Sequence, residues 1–232
     1  MIDVRTRDTL GTSSLAELET LHHFSFGGFQ DLARDNWGRL CVLNHIVMAP
    51  GGGLRTAPID GVDLISVVRK GTIAHDGGLG GSPKTRAGEV QLICPGPGIV
   101  HADTNPGAKP AEYVELRIRM EGAPERALRR TTRFPGRTRA GLLELLASGF
   151  PQDRAPLPLN SPSRVYGARI PARAQIIHAI DPGRTAYLMA LSGTVTVNGA
   201  VVGPLEGAAI ADEATLAIEA ETFVEMLLVE TD

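Results

Sequence analysis

Gly51-Gly-Gly-Leu-Arg-Thr-Ala57-Pro-Ile59-Asp-Gly61-Val-Asp63-Leu-Ile-Ser-Val-Val-Arg-Lys-Gly71 is the stretch that decides how this 232-residue chain folds. It is read with a second one, Gly88-Glu-Val-Gln-Leu-Ile-Cys94-Pro-Gly-Pro-Gly98-Ile-Val-His101-Ala-Asp103-Thr-Asn105. Each is an apolar, β-branched run bounded by glycine and proline, the pattern of short strands joined by tight turns. Each also carries polar residues where a small barrel would turn them into its mouth.

Working outward, the same texture recurs. Strands are expected over Arg39–Met48, Val62–Arg69, Thr72–His75, Glu89–Cys94 and Ile99–Ala102. The clearest is Ala111–Met120. There Val114, Leu116, Ile118 and Met120 alternate with Tyr113, Glu115, Arg117 and Arg119, a period of two with one buried face. Further strands are expected from Arg164 to Val229, with Asn198-Gly199 marking a hairpin. Val67-Val-Arg-Lys-Gly-Thr-Ile-Ala74 is echoed by Met189-Ala-Leu-Ser-Gly-Thr-Val-Thr196, which points to two copies of one unit. The 27 glycines and 16 prolines agree with a turn-rich, all-β design.

The division this implies is an N-terminal barrel over residues 1–120, a connection over 121–163 and a C-terminal barrel over 164–232. Within the connection the basic stretch Arg126–Arg139 reads as a solvated face rather than a docking patch for an acidic partner. Gly141–Ser148 is either a short helix or a strand.

Composition excludes several classes. A formal charge of -3 and a pI near 6.1 give no reason to expect nucleic acid or an anionic membrane surface. Cys41 and Cys94 are too few for a disulfide framework. No apolar run has the length of a membrane span and the N-terminus lacks a signal-peptide core, so a cytoplasmic location is expected. Gly51–Gly53 is no phosphate cradle, because no helix start or following lysine completes it.

The two opening stretches resemble the paired motifs of the cupin superfamily. The wider series resembles its pirin branch: Leu21-His-His-Phe-Ser-Phe-Gly27, Arg39-Leu-Cys-Val-Leu-Asn44, Met48-Ala-Pro-Gly-Gly-Gly53, Gly96-Pro-Gly-Ile-Val-His-Ala-Asp-Thr-Asn-Pro106 and Glu115-Leu-Arg-Ile-Arg119. The resemblance covers residues 20–120 well and the second half loosely. It implies two tandem cupin (double-stranded β-helix, jelly-roll) barrels, the first holding iron or a similar ion through three histidines and a glutamate. Those four places hold Ala57, Ile59, His101 and Asp103 here. Two cannot coordinate, the third matches, and the fourth is a carboxylate one methylene short.

With two donors left, the expected pocket comprises His101, Asp103, Asp63, Ala57, Ile59 and Asn44, with no bound metal. His101 and Asp103 then form a hydrogen-bonded pair. A divalent ion such as Fe(II) returns only if Asp63, His45 or His75 turns inward as a further ligand. His75, before Asp76-Gly-Gly78, otherwise reads as a surface loop residue, and His22 and His23 as exposed groups near the entrance. The function that follows is a metal-free protein binding a small ligand or a protein partner. The alternatives are a metal-dependent dioxygenase resembling quercetin 2,3-dioxygenases, and a structural scaffold.

Overall fold

A computed structural model of the chain describes residues 1–15, 17–136 and 140–232; Arg137 and Arg139 of the basic stretch lie outside them. Among the described residues regular structure is strand, apart from three short 3-10 turns, and no helix is long and apolar enough to cross a membrane.

Four sheets stack in four layers. The N-terminal half pairs a seven-stranded sheet with a four-stranded one, and the C-terminal half repeats the arrangement. The first large sheet runs, in spatial order, through strands Leu128–Arg133, Glu89–Cys94, Val62–Lys70, Ala111–Arg119, Leu40–Met48, Leu18–His22 and Gly11–Leu15. Its small partner orders Ala57–Ile59, Ile99–Thr104, Thr72–Gly77 and Lys84–Arg86. This is the bicupin architecture, a pair of two-sheet β-barrels in one chain.

Strand pairing divides the chain differently from its composition. Strand Ile2–Arg5 pairs with Gly207–Ile210 in the C-terminal sheet, so the N-terminus is built into the other half. Leu128–Arg133 adds an edge to the N-terminal sheet, and Leu143–Ser148 is a strand of the C-terminal one. Residues 121–163 therefore give strands to both halves as well as connecting them.

The two large sheets face each other. Leu43, Ile65, Val67, Leu92, Val114, Leu116 and Ile118 pack against Leu146, Val165, Met189, Leu191, Leu227 and Val229 in one continuous core. In the strand Ala111–Arg119 this buries Val114, Leu116 and Ile118, as the alternation requires. The other face is not solvated as expected: Tyr113 and Glu115 are 0 and 1 % exposed. A sheet between a barrel interior and a second domain has no solvent side, so Tyr113 and Glu115, on the face away from the seam, are turned into the barrel.

Parity along each strand now assigns every residue to seam or barrel. His45 and Asp63 fall on the seam side. His45 meets Glu112 at 3.2 Å, beside the bridge from Arg69 to Glu225 of the C-terminal half. Asp63 accepts the Asn160 backbone N–H at 2.6 Å and its side-chain amide at 2.8 Å, which moors the connection to the first barrel. Replacing Asp63 with Ala leaves both donors of Asn160 without this carboxylate, and is expected to cost about 2 kcal/mol. Urea denaturation reads this; a variant as stable as the parent contradicts the mooring role.

Candidate functional site

Strand Ile99–Thr104 lies between Ala57–Ile59 and Thr72–Gly77, and its register places three donors together. His101 stands opposite Ala57 on one side and Gly77 on the other, while Asp103 stands opposite His75. Residues directly opposite share a face, so His75, His101 and Asp103 all point into the barrel. The strands approach closely at Gly77, where φ is 133° and an added Cβ would lie 2.0 Å from the Val100 carbonyl oxygen. Only glycine fits there.

The triad is compact and sealed. One ligand atom from each residue lies within 4.8 Å of the others. The two Nδ1 atoms of His75 and His101 are 2.9 Å apart and share a hydrogen, their rings stacking at 4.8 Å between centroids. Asp103 places Oδ1 at 3.9 Å from His75 Nδ1 and Oδ2 at 3.8 Å from His101 Nε2. Exposures are 0 % for His75, 4 % for His101 and 0 % for Asp103. Burial pulls the pKa of His101 down, with the Asp103 charge opposing, so the neutral, metal-ligating imidazole is favoured.

The unmet hydrogen-bonding capacity is the informative feature. Nε2 of both histidines and both oxygens of Asp103 have no hydrogen-bond partner in the protein. A buried carboxylate in that condition is costly, and a cation is the species that relieves it. Two donors 2.9 Å apart match roughly the spacing of two ligands about 2.1 Å from one ion at right angles. The residues present therefore fit a divalent metal.

The remaining sequence candidates fall elsewhere. Ala57 is exposed at the mouth beside His101, and Ile59 is buried with Leu64 and Ile93 in a small apolar cluster. Asn44 faces the barrel and holds His22 Nδ1 at 2.8 Å. Asp63 and His45 project from the opposite face of their sheet, and a change of parity would be needed to bring either to the triad. His75 is in strand, not a surface loop. His22 and His23 are buried rather than exposed, His22 between Ser13 and Asn44 and His23 against Tyr187 across the seam.

Glu115 is the site residue that sequence reasoning missed. It lies on the large sheet, with Oε1 accepting from Arg117 Nε at 2.8 Å and Oε2 unpartnered. Burial pushes its carboxyl pKa up, Arg117 opposing and the charge of Asp103 adding to the rise. Its period-two place among Tyr113 and Arg117 was the available signal, but it resembles any exposed strand face.

Among the described residues the second barrel holds no counterpart. Its interior is packed with Ile170, Leu188, Val195, Leu216, Ile218, Met226 and Leu228. Its open hollows, such as that of about 310 Å³ beside Asp181, Arg184 and Asp212, contain neither histidine nor cysteine.

Comparison with known proteins places both halves. Residues 3–118 match the family model described as Pirin, and residues 145–231 the one described as Quercetinase C-terminal cupin domain. The chain is 36 % identical to a pirin-like protein of Caulobacter vibrioides over 99 % of both chains. It is 27 % identical to a quercetin 2,3-dioxygenase of Escherichia coli K12, covering 98 % of this chain and 97 % of that one. The crystal structure of the bacterial pirin YhhW of Escherichia coli in complex with nickel(II) superimposes with a TM-score of 0.92 at 26 % identity, covering 100 and 99 % of the two chains. The protein is thus a bicupin with one polar and one apolar barrel. Within that class it belongs to the pirin family.

The raised pKa of Glu115 sets a pH dependence. A carboxyl that titrates higher folded than unfolded stabilises the fold in acid, below the ordinary carboxylate value. That contribution is lost as pH rises through the raised folded value. In metal-free protein, Glu115→Gln is expected to remove this loss, up to about 1.4 kcal/mol per pH unit from pH ~5 until the raised folded value is passed. Urea unfolding of both proteins from pH 5 to 8 measures it; parallel curves contradict the assignment.

Proposed function

We propose that the chain is a metal-dependent oxygenase of the quercetin 2,3-dioxygenase kind, working in the cytoplasm on a small oxygen-bearing molecule. Its metal would be held by His75, His101 and Asp103. The observation that carries this is the inward His75, which turns a two-donor remnant into two imidazoles and a carboxylate. That set, with open positions for oxygen and substrate, is the one used by non-haem Fe(II) oxygenases. The relative named quercetin 2,3-dioxygenase and the nickel(II) complex of a pirin support the same reading.

The chain's own residues do the rest. Asp103 brings a buried carboxyl group with both oxygens unpartnered to the site, and the neutral form of His101 offers a ring nitrogen as a lone-pair donor. Ile59, Leu64 and Ile93 close one end against water. Ala57, small and exposed, stands opposite His101 and puts no bulk beside it. Glu115 Oε2 keeps its proton higher in pH than a solvated carboxyl and faces the same interior, where it can give or take a proton.

A metal-free pocket for a small ligand or protein partner is the second reading, favoured by the hydrogen that His75 and His101 share without an ion. The two separate experimentally. His75→Ala and Asp103→Ala are each expected to lower affinity for Fe(II) or Ni(II) by 100-fold or more, beyond the roughly 10–100-fold of a lost outer-shell partner. Because both oxygens of Asp103 are unpartnered, metal-free Asp103→Ala should be no less stable than the parent. Equilibrium dialysis with elemental analysis, and oxygen uptake with quercetin, are the measurements. A parent protein that takes up no metal moves the function to the second reading.

A further inference from the structure

Opposite the triad, one residue from each of five neighbouring strands forms a single polar rung across the large sheet. Gln91 stands opposite Ser66, Ser66 opposite Glu115, Glu115 opposite Asn44, and Asn44 opposite His22. All five are buried. Tyr113, one rung further on the same face, is 0 % exposed. The rungs on either side are mixed, Val68, Tyr113 and Ile46 on one and Leu64, Arg117 and Val42 on the other, so the five-residue rung is the most continuous polar line on this face.

The ends of the rung are tied, and its middle is not. Gln91 Oε1 accepts from Thr85 Oγ1 at 2.8 Å and from Arg129 Nε at 2.7 Å. Those two donors fix the orientation of the amide, so its NH2 group points inward, and Nε2 has no partner in the protein. Asn44 holds His22 at the other end. Between them Ser66 Oγ, Glu115 Oε2 and, on the next rung, Tyr113 OH are also unpartnered. Gln91 Nε2 can only donate, and the hydroxyls and a protonated Glu115 can donate as well. Register and parity turn both the rung and the triad into the same barrel interior, and the Asp103 charge helps raise the pKa of Tyr113 and Glu115.

We propose that this rung is the second half of the binding site. It is a hydrogen-bond-donating floor for the acceptor oxygens (carbonyl, phenolate or enolate) of a molecule held between it and the triad. This rests on the proposed metal-dependent function and adds what that reading lacks, a determinant of substrate class. A molecule with acceptor oxygens satisfies the floor, whereas an apolar one leaves four buried polar groups unpaired and is rejected. Ordered water filling the same positions is the competing occupant.

Three substitutions separate the two. Gln91→Glu keeps the acceptor that holds Thr85 and Arg129 and turns the inward donor into an acceptor. Ser66→Ala and Tyr113→Phe each delete a hydroxyl with no protein partner, so neither should lower stability. Quercetin and maltol, a smaller hydroxyketone, are titrated under anaerobic conditions into nickel-loaded and metal-free protein, with azide as a probe of the metal alone. Each variant is expected to bind the two oxygen-bearing probes about tenfold more weakly with nickel uptake and azide binding unchanged, and Ser66→Ala and Tyr113→Phe with melting temperature unchanged as well. Failure of nickel uptake in the parent overturns the metal reading, and the floor is then read from the metal-free titrations. Probe affinities equal in parent and variants, or no probe binding by the parent in either form, overturn the floor and leave water as its occupant.

Discussion

A hydrogen-bonding group sealed inside a β-barrel, out of reach of water, must find a partner or destabilise the fold. The N-terminal barrel lives under that constraint. Its large sheet is covered on one face by the second domain, so the polar side chains that alternate inward on its strands have no route to water. Some pair among themselves, as His22 does with Asn44. Others, concentrated at the triad and the rung facing it, do not. The second barrel follows the same topology with an apolar interior, and among its described residues no cluster of this kind is found. One barrel is filled by its own side chains, the other is arranged for something brought from outside.

The tandem arrangement makes that division of labour possible. Two seven-stranded sheets share a continuous core, and strand Ile2–Arg5 crosses to pair in the C-terminal sheet. The Asn160–Asp63 contact and the Arg69–Glu225 bridge fasten the halves further. A barrel supported from behind in this way can carry unpaired polar groups that a free-standing domain of its size would tolerate poorly.

Much of this was legible in the chain. The alternation in Ala111–Met120 and the glycine-bounded runs gave the two-barrel fold, and His101 and Asp103 stood out two residues apart on one strand. Three readings needed the third dimension. His75 precedes Asp-Gly-Gly, which reads as a loop, yet Gly77 is the residue that lets its strand lie against His101. Asp63 and His45 looked available as ligands until sheet packing fixed which parity faces the barrel. Glu115 looked solvated because period two alone cannot tell water from a polar interior. The expected loss of a metal followed from Ala57 and Ile59 on one flank of the central strand. The added donor stands on the other flank, where neither motif looks.

The central claim is that His75 takes over as a ligand from that opposite flank. X-ray absorption spectroscopy of the nickel- or iron-loaded protein tests it directly by counting imidazoles around the ion. The account predicts two in the parent protein and one in His75→Ala. A parent spectrum without imidazole, or one that His75→Ala leaves unchanged, would contradict it.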